Sequence, residues 1–279
     1  MISINVGDIR VTCLPDGSAE LDGYPYQEKT DDGELVDWGL YHELFPNDFH
    51  GELHQGRIHN NCFLVEASNK LILMDTGVGE GPYPRYKNMK GGLQDALQSF
   101  EIANDDIDFV FMTHAHPDHV AWNLNSDGSP RFANAEYILH KNDWEEFTNR
   151  DPVPPFFGRF IEPLRELGVM RLVEGDYEIT SGVEIFETPG HTPGHMSARI
   201  HSKKESLLVV GDVLVNPFYV SESGRAFQSD KDPVLGIKTR QTLLAQAVAD
   251  QSLLASAHFS EPGVGSIEDQ EDKLKFIPR

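Results

Sequence analysis

The run Thr113-His114-Ala115-His116-Pro117-Asp118-His119 constrains this chain more than any other stretch, because it sets three imidazoles and a carboxylate directly behind the apolar run Ile107 to Met112. In an extended segment side chains alternate faces, so His114 and His116 point the same way and can share one cation. Pro117 fixes the turn that follows. Asp118 and His119 lie beyond that turn, where they can reach a second cation close by, the arrangement of two-metal hydrolytic sites. A loop of solvent-facing histidines is the alternative, and it gives this density of ligating groups no purpose.

Three further segments repeat the layout of a strand-like run that ends in a ligating group. Val183 to Thr188 is followed by Pro189-Gly190-His191-Thr192-Pro193-Gly194-His195, whose Pro-Gly pairs mark tight turns at a strand end. Leu207 to Gly211 places Asp212 at its carboxyl end, where one carboxylate could bridge two ions. Leu253 to Ala257 leads into His258. A fourth run, Leu71 to Met74, ends in Asp75, which on its own reads as a turn aspartate bonding its loop.

From Asn61 to Gly265 these residues resemble the metallo-β-lactamase superfamily of metal-dependent hydrolases. The resemblance implies that His114, His116 and His195 hold one divalent ion, that Asp118, His119 and His258 hold a second, and that Asp212 bridges them. Zn2+ is the expected metal, with Fe or Mn as alternatives. Asp75 would support the ligand loops from behind, and His191, which competes with His195, would be left as a supporting or pocket residue. Two such ions lower the pKa of a shared water, so a bridging hydroxide is the expected nucleophile, with Asp118 placed to carry a proton to the leaving group. The chain contains no Gly-x-Ser-x-Gly elbow that would argue for a serine nucleophile.

Strand-like runs near residues 9–14, 61–66, 70–74, 108–113, 137–140, 184–188, 196–201 and 207–211 are separated in places by helical patterns. Leu93, Leu97 and Phe100 share one helical face, and Leu243, Leu244, Ala247 and Val248 share another. Strands bearing ligands at their ends, with helices between, predict an α/β fold, an αββα sandwich of the metallo-β-lactamase type in one domain over residues 1–279. The chain has 39% hydrophobic residues and no run of about 20 apolar ones, so a soluble enzyme without a membrane span is expected. No basic, apolar leader opens it, and Cys13 and Cys62 read as core thiols of a reducing compartment, which together predict a cytoplasmic protein. A net charge of −22 argues against a nucleic-acid partner, since phosphate backbones demand basic stripes.

Residues 24–59, 151–158 and 216–236 are irregular enough to shape a pocket, and the first of them could instead pack against a second copy in a homodimer. Trp122, Phe156, Phe157, Phe218 and Tyr219 are the expected apolar lining. His42, His50, His54 and His59 are further candidates for metal or substrate contact, whereas His140 and His201 sit in strand-like runs and read as structural. Lactonases of the family carry a tyrosine three residues after the bridging aspartate; here that position is Val215, and Tyr219 is the nearest tyrosine. The stretches from Ala257 to Gly265 and from Ala121 to Asn123 resemble the lactonase and methyl parathion hydrolase branch. An ester or lactone is therefore the expected small-molecule substrate. The alternatives are a phosphotriesterase and an iron-dependent, persulfide dioxygenase-like oxidoreductase.

Overall fold

The computed structural model of the chain describes residues 2–22, 36–270 and 273–279. One sheet contains β1 (Ser3–Val6), β2 (Ile9–Glu20), β3 (Phe49–His50), β4 (Gln55–Ala67), β5 (Lys70–Met74), β6 (Phe109–Phe111), β7 (Glu136–His140) and β8 (Met170–Val173). Its order is β1-β2-β4-β5-β6-β7-β8, with β3 beside β4. The second contains β9 (Tyr177–Thr180), β10 (Val183–Glu187), β11 (Met196–Ser202), β12 (Glu205–Val209), β13 (Leu253–Ala255), β14 (Val264–Gln270) and β15 (Lys273–Pro278), ordered β15-β14-β13-β12-β11-β10-β9. The eight helices among the described residues are α1 (Trp38–Leu44), α2 (Leu93–Ser99), α3 (Pro117–Val120), α4 (Lys141–Thr148), α5 (Pro155–Phe160), α6 (Glu162–Glu166), α7 (Phe218–Ser221) and α8 (Pro233–Ala249).

The alternation of side chains along the strands assigns the layers. In β5, Ile72 and Met74 point into a core shared with Val183, Ile185, Ile200 and Val209 of the other sheet, while Leu73 points the opposite way, against Leu93 and Leu97 of α2. In β12, Leu207 and Val209 face that shared core, and Leu208 joins Leu243, Leu244 and Ala247 of α8. Two sheets packed face to face with helices on both outer faces form the αββα sandwich that the pattern predicts.

Strands β5 to β8 run parallel, as do β12 and β13. Parallel neighbours need crossovers, which α2, the α4 to α6 group and α8 provide. Because β5, β6, β10, β12 and β13 all finish at the same edge, the segments after them, with Asp75, His114 to His119, His191 to His195, Asp212 and His258, meet there. This is where open α/β sheets place their ligands.

The segments read as irregular contain more structure than their composition suggested. Of residues 24–59, positions 24–35 lie outside the described residues, and the remainder holds α1, β3 and the start of β4. Pro155 opens α5 inside the proline-rich stretch, consistent with proline's tolerance for the first helical turn. Residues 216–236 include α7 and the first turn of α8. No helix among the described residues is long and apolar enough to cross a membrane.

Candidate metal centre

Two groups of ligating atoms converge at this edge: His114, His116, His191 and Asp212 form one, and Asp118, His119 and His258 the other, with the atoms of each group within 4.8 Å of one another. His114 Nε2 and His191 Nε2 each stand 2.9 Å from His116 Nδ1. Asp212 lies between the groups. Its Oδ2 is 3.2 Å from His191 Nε2, and its Oδ1 is 3.2 Å from His119 Nε2 and 3.1 Å from His258 Nε2.

The imidazoles are aimed from behind. His119 Nδ1 bonds Asp75 Oδ2 at 2.8 Å, His191 Nδ1 bonds Asp230 Oδ1 at 3.2 Å, and His258 Nδ1 bonds the His59 carbonyl at 2.7 Å. Each acceptor holds a proton on Nδ1 and so leaves the Nε2 lone pair facing the centre. Asp75 also accepts from the Thr113 backbone N–H and hydroxyl, tying β5 to the start of the histidine loop. Asp143, on the first turn of α4, joins two loops by accepting the N–H of Ala115 at 2.8 Å and that of Gly194 at 2.7 Å.

The chemistry of this donor set fits divalent metal. His119 Nε2 and Asp212 Oδ1 are buried, face each other off hydrogen-bond geometry, and have no other hydrogen-bond partner among the described residues. Orphaned buried polar atoms are costly, and a cation would satisfy both. Burial pushes His116 down to about 3, with the charge of His191 adding to the effect, so it enters the site as a neutral ligand. Burial also opposes charge on Asp212, yet His258 and His119 hold it well below the usual carboxylate range.

Of the two competing histidines, the structure brings His191 and not His195 into the group of ligating atoms. Both ring nitrogens of His195 are already engaged: Nδ1 meets the Thr188 hydroxyl at 2.8 Å, and Nε2 accepts the Asp212 N–H at 3.0 Å. Its ring packs so close to Gly211, which has φ +49°, that a Cβ there would lie 2.6 Å from Nε2. His195 shapes the turn that presents Asp212, and His191 faces the centre in its place.

The sequence profile of the metallo-beta-lactamase superfamily matches residues 56–258, nearly three quarters of the chain. The chain belongs to the metallo-β-lactamase superfamily. An N-acyl homoserine lactonase of Bacillus cereus is 26% identical over 164 residues, covering 53% of this chain and 61% of that protein. An acyl-coenzyme A thioesterase of Homo sapiens is 28% identical over 170 residues, covering 55% and 58%. The chain thus spans about three fifths of the curated relatives it matches. Among solved structures, a dizinc quorum-quenching lactonase in complex with its N-hexanoyl-L-homoserine product superposes with a TM-score of 0.81 at 22% identity, covering 100% of this chain and 97% of that one. A hydrolase of the β-lactamase superfamily superposes equally well, with a TM-score of 0.81 at 23% identity over 99% and 96%.

In this member of the superfamily the cleft over the centre is small, about 40 Å³. Its walls come from Ile58, Arg85, Tyr86, Val215, Phe227 and Ser229 together with the histidines and aspartates. None of the five aromatics expected to line it does so. Trp122 is buried with its Nε1 on Asp16, Phe157 stacks on Phe147 with centroids 5.4 Å apart, and half-buried Phe156 packs edge-on to the same ring. Phe218 packs on Trp38 and Tyr41 beneath the second sheet, and the Tyr219 ring lies 4.6 Å from the buried Arg240 guanidinium. Packing beneath the surface claimed these rings, and Tyr219 does not line the cleft.

Sequence reasoning missed Tyr86, whose hydroxyl donates to Asp118 Oδ2 at 2.8 Å. Burial and the Asp118 charge keep that phenol protonated. The proline-punctuated run Pro82-Tyr83-Pro84-Arg85-Tyr86 carries the signal that could have found it. The remaining histidines stay outside the centre. His42 and His54 pair with each other at 2.9 Å, His50 bonds the Leu21 carbonyl, His140 bonds Glu187, and exposed His201 lies beside Glu184. His59 contributes only its carbonyl, which orients His258.

Proposed function

We propose that this chain is a hydrolase that opens an ester or lactone bond with two divalent cations, zinc being the favoured pair. The observation that carries the reading is Asp212, whose two oxygens address the two groups of ligands separately. His114, His116 and His191 would hold one cation, Asp118, His119 and His258 the other, and Asp212 both. A water shared by two such cations ionises near neutral pH, which supplies the nucleophile.

The chain's own residues do the rest. Five neutral imidazoles and two carboxylates leave a pair of divalent cations with surplus positive charge, so the centre favours an oxygen that gains negative charge in the transition state. Tyr86 keeps Asp118 oriented through its hydroxyl, and the Asp118 carboxylate would take the proton of the hydroxide as it adds to the carbonyl and hand it to the departing oxygen. Ile58, Val215 and Phe227 give the substrate an apolar wall. The lactonase and thioesterase relatives support a carbonyl as the reacting centre, because both are named for acyl substrates.

Zinc-loaded protein assayed against acyl lactones, aryl esters, aryl phosphotriesters, penicillins and glutathione thioesters tests this. Hydrolysis of lactones or aryl esters is expected, with weaker turnover of phosphotriesters and little of the last two. Failure on every ester and lactone, or oxygen consumption with a persulfide on an iron-loaded sample, would overturn it.

A further inference from the structure

We infer that Arg85 is an anion subsite and that the ester or lactone taken by the proposed hydrolase carries a free carboxylate beside the bond it loses. The inference begins from charge pairing. The chain has 45 acidic residues against 23 basic ones, so an arginine without an acidic neighbour is uncommon here. Arg10, Arg57, Arg131, Arg150, Arg171, Arg199, Arg225 and Arg240 each lie within 4.0 Å of a carboxylate. Among the described residues Arg85, Arg159, Arg165 and Arg279 do not, and of these four Arg85 borders the centre.

Arg85 lines the cleft with His116, Asp118, His191, Asp212 and His258. Its contacts are neutral: the Ser229 hydroxyl at 3.4 Å, the Tyr86 ring with its centroid 5.8 Å away, and the Tyr83 side chain. The other charged groups in the lining, Asp118 and Asp212, are turned toward the histidines and would be neutralised by bound cations. The guanidinium is then a cation left over at the cleft, and its remaining N–H donors suit a planar oxyanion.

Arg159 repeats the theme one step outward. It lines a neighbouring cavity of about 180 Å³ whose walls also include Pro117 and Tyr83, where Glu80 already answers Arg131. A single free guanidinium matches one negative charge. The field of a molecule at −22 opposes a dianion more than a monoanion, which favours carboxylate over phosphate.

The test rests on the hydrolase reading but can fail separately from it. Two aryl esters of equal length, 4-nitrophenyl pentanoate and the 4-nitrophenyl monoester of glutaric acid, are turned over by zinc-loaded protein, and glutarate and pentanoate are titrated into the same protein by calorimetry. The ratio of kcat/KM for the charged ester to that for the neutral one should fall about 10- to 100-fold in Arg85→Gln and further in Arg85→Glu, the size of a lost charged hydrogen bond. The affinity advantage of glutarate over pentanoate should disappear in the same variants. Turnover of both esters with an unchanged ratio in Arg85→Gln would overturn the subsite and spare the hydrolase. Absence of turnover together with an Arg85-dependent advantage for glutarate would uphold the subsite and overturn the hydrolase. An equal glutarate advantage in wild type and Arg85→Gln would overturn the subsite whatever the turnover.

Discussion

A histidine has two ring nitrogens, and whatever holds one of them decides what the other can do. His191 offers Nε2 because Asp230 holds Nδ1; His195 has nothing left to offer. His191→Ala should therefore cost one of two bound metal equivalents and nearly all turnover, while His195→Ala should keep both ions and lose activity about 10- to 100-fold through a misplaced Asp212. Elemental analysis of the two variants decides it, and metal loss confined to His195→Ala would restore the opposite assignment. Spacing alone could bring His114 to His119 together, since six residues after one strand cannot separate. It could not choose between two histidines four apart on a Pro-Gly loop, because the choice is made by Asp230 and Gly211, neither of which shares a motif with them. A second residue invites a pH test. Burial pushes Asp48 from the ordinary 3.8 up to about 6, against hydrogen bonds from the Ser260 N–H and hydroxyl. The fold favours the protonated form, so this stabilisation is complete below about 3.8 and is lost as pH rises through about 6. Asp48→Asn cannot titrate, and its stability relative to wild type should improve by about 2 kcal/mol between pH 4 and pH 7. Urea unfolding across that range measures the difference; a constant gap would refute the linkage.

At the scale of elements, the crossover helices hold the ligand segments as well as covering the sheets. Arg240 of α8 is 1% exposed and donates to the carbonyls of Val213 at 2.8 Å, Ser223 at 3.3 Å and Arg225, with Asp230 Oδ2 at 3.6 Å. One side chain thus ties α8 to the turn after Asp212 and to the carboxylate behind His191. Arg240→Met would leave those carbonyls without a donor and Asp230 Oδ2 without its counter-charge, and thermal or urea denaturation should show a loss of about 3–5 kcal/mol. A loss under 1 kcal/mol would mean that the network is ornamental. The helical faces were legible from their periodicity, as Leu93 and Leu97 or Leu243, Leu244 and Ala247 illustrate. The role of the aromatics was not, because a phenylalanine in a proline-rich stretch has the same composition whether it faces a cleft or a core. Phe157 is fully buried on Phe147, so Phe157→Ala should cost about 3–5 kcal/mol of stability and leave the acyl chain-length profile of any hydrolysis where it was. A changed profile at unchanged stability would put the ring back in the pocket.

The whole molecule brings four chain segments, separated by up to 144 positions between His114 and His258, to one sheet edge and leaves seven ligating side chains facing one another there. Their order in sequence was readable because each follows a strand; that the strands finish side by side depends on crossovers whose register no local pattern records. Gathering these groups without cations is unfavourable, since His119 Nε2 and Asp212 Oδ1 have no hydrogen-bond partner among the described residues and the imidazoles crowd. Metal that binds only the folded chain should therefore raise its stability by RT ln(1 + [L]/Kd), about 4 kcal/mol at a thousandfold excess over Kd, or on the order of 10 °C in Tm. The sharper version concerns Asp212. Asp212→Asn preserves the shape of the turn but removes the one charge that addresses both groups, so the two ions should weaken together and most of the zinc-dependent shift should vanish. His258→Ala strips one group only, so a stabilised species with a single equivalent should persist. Calorimetric melts of wild type and both variants, with and without zinc, separate the cases. A zinc shift in Asp212→Asn as large as that of wild type would show that each ion is held by its own group and that nothing bridges them.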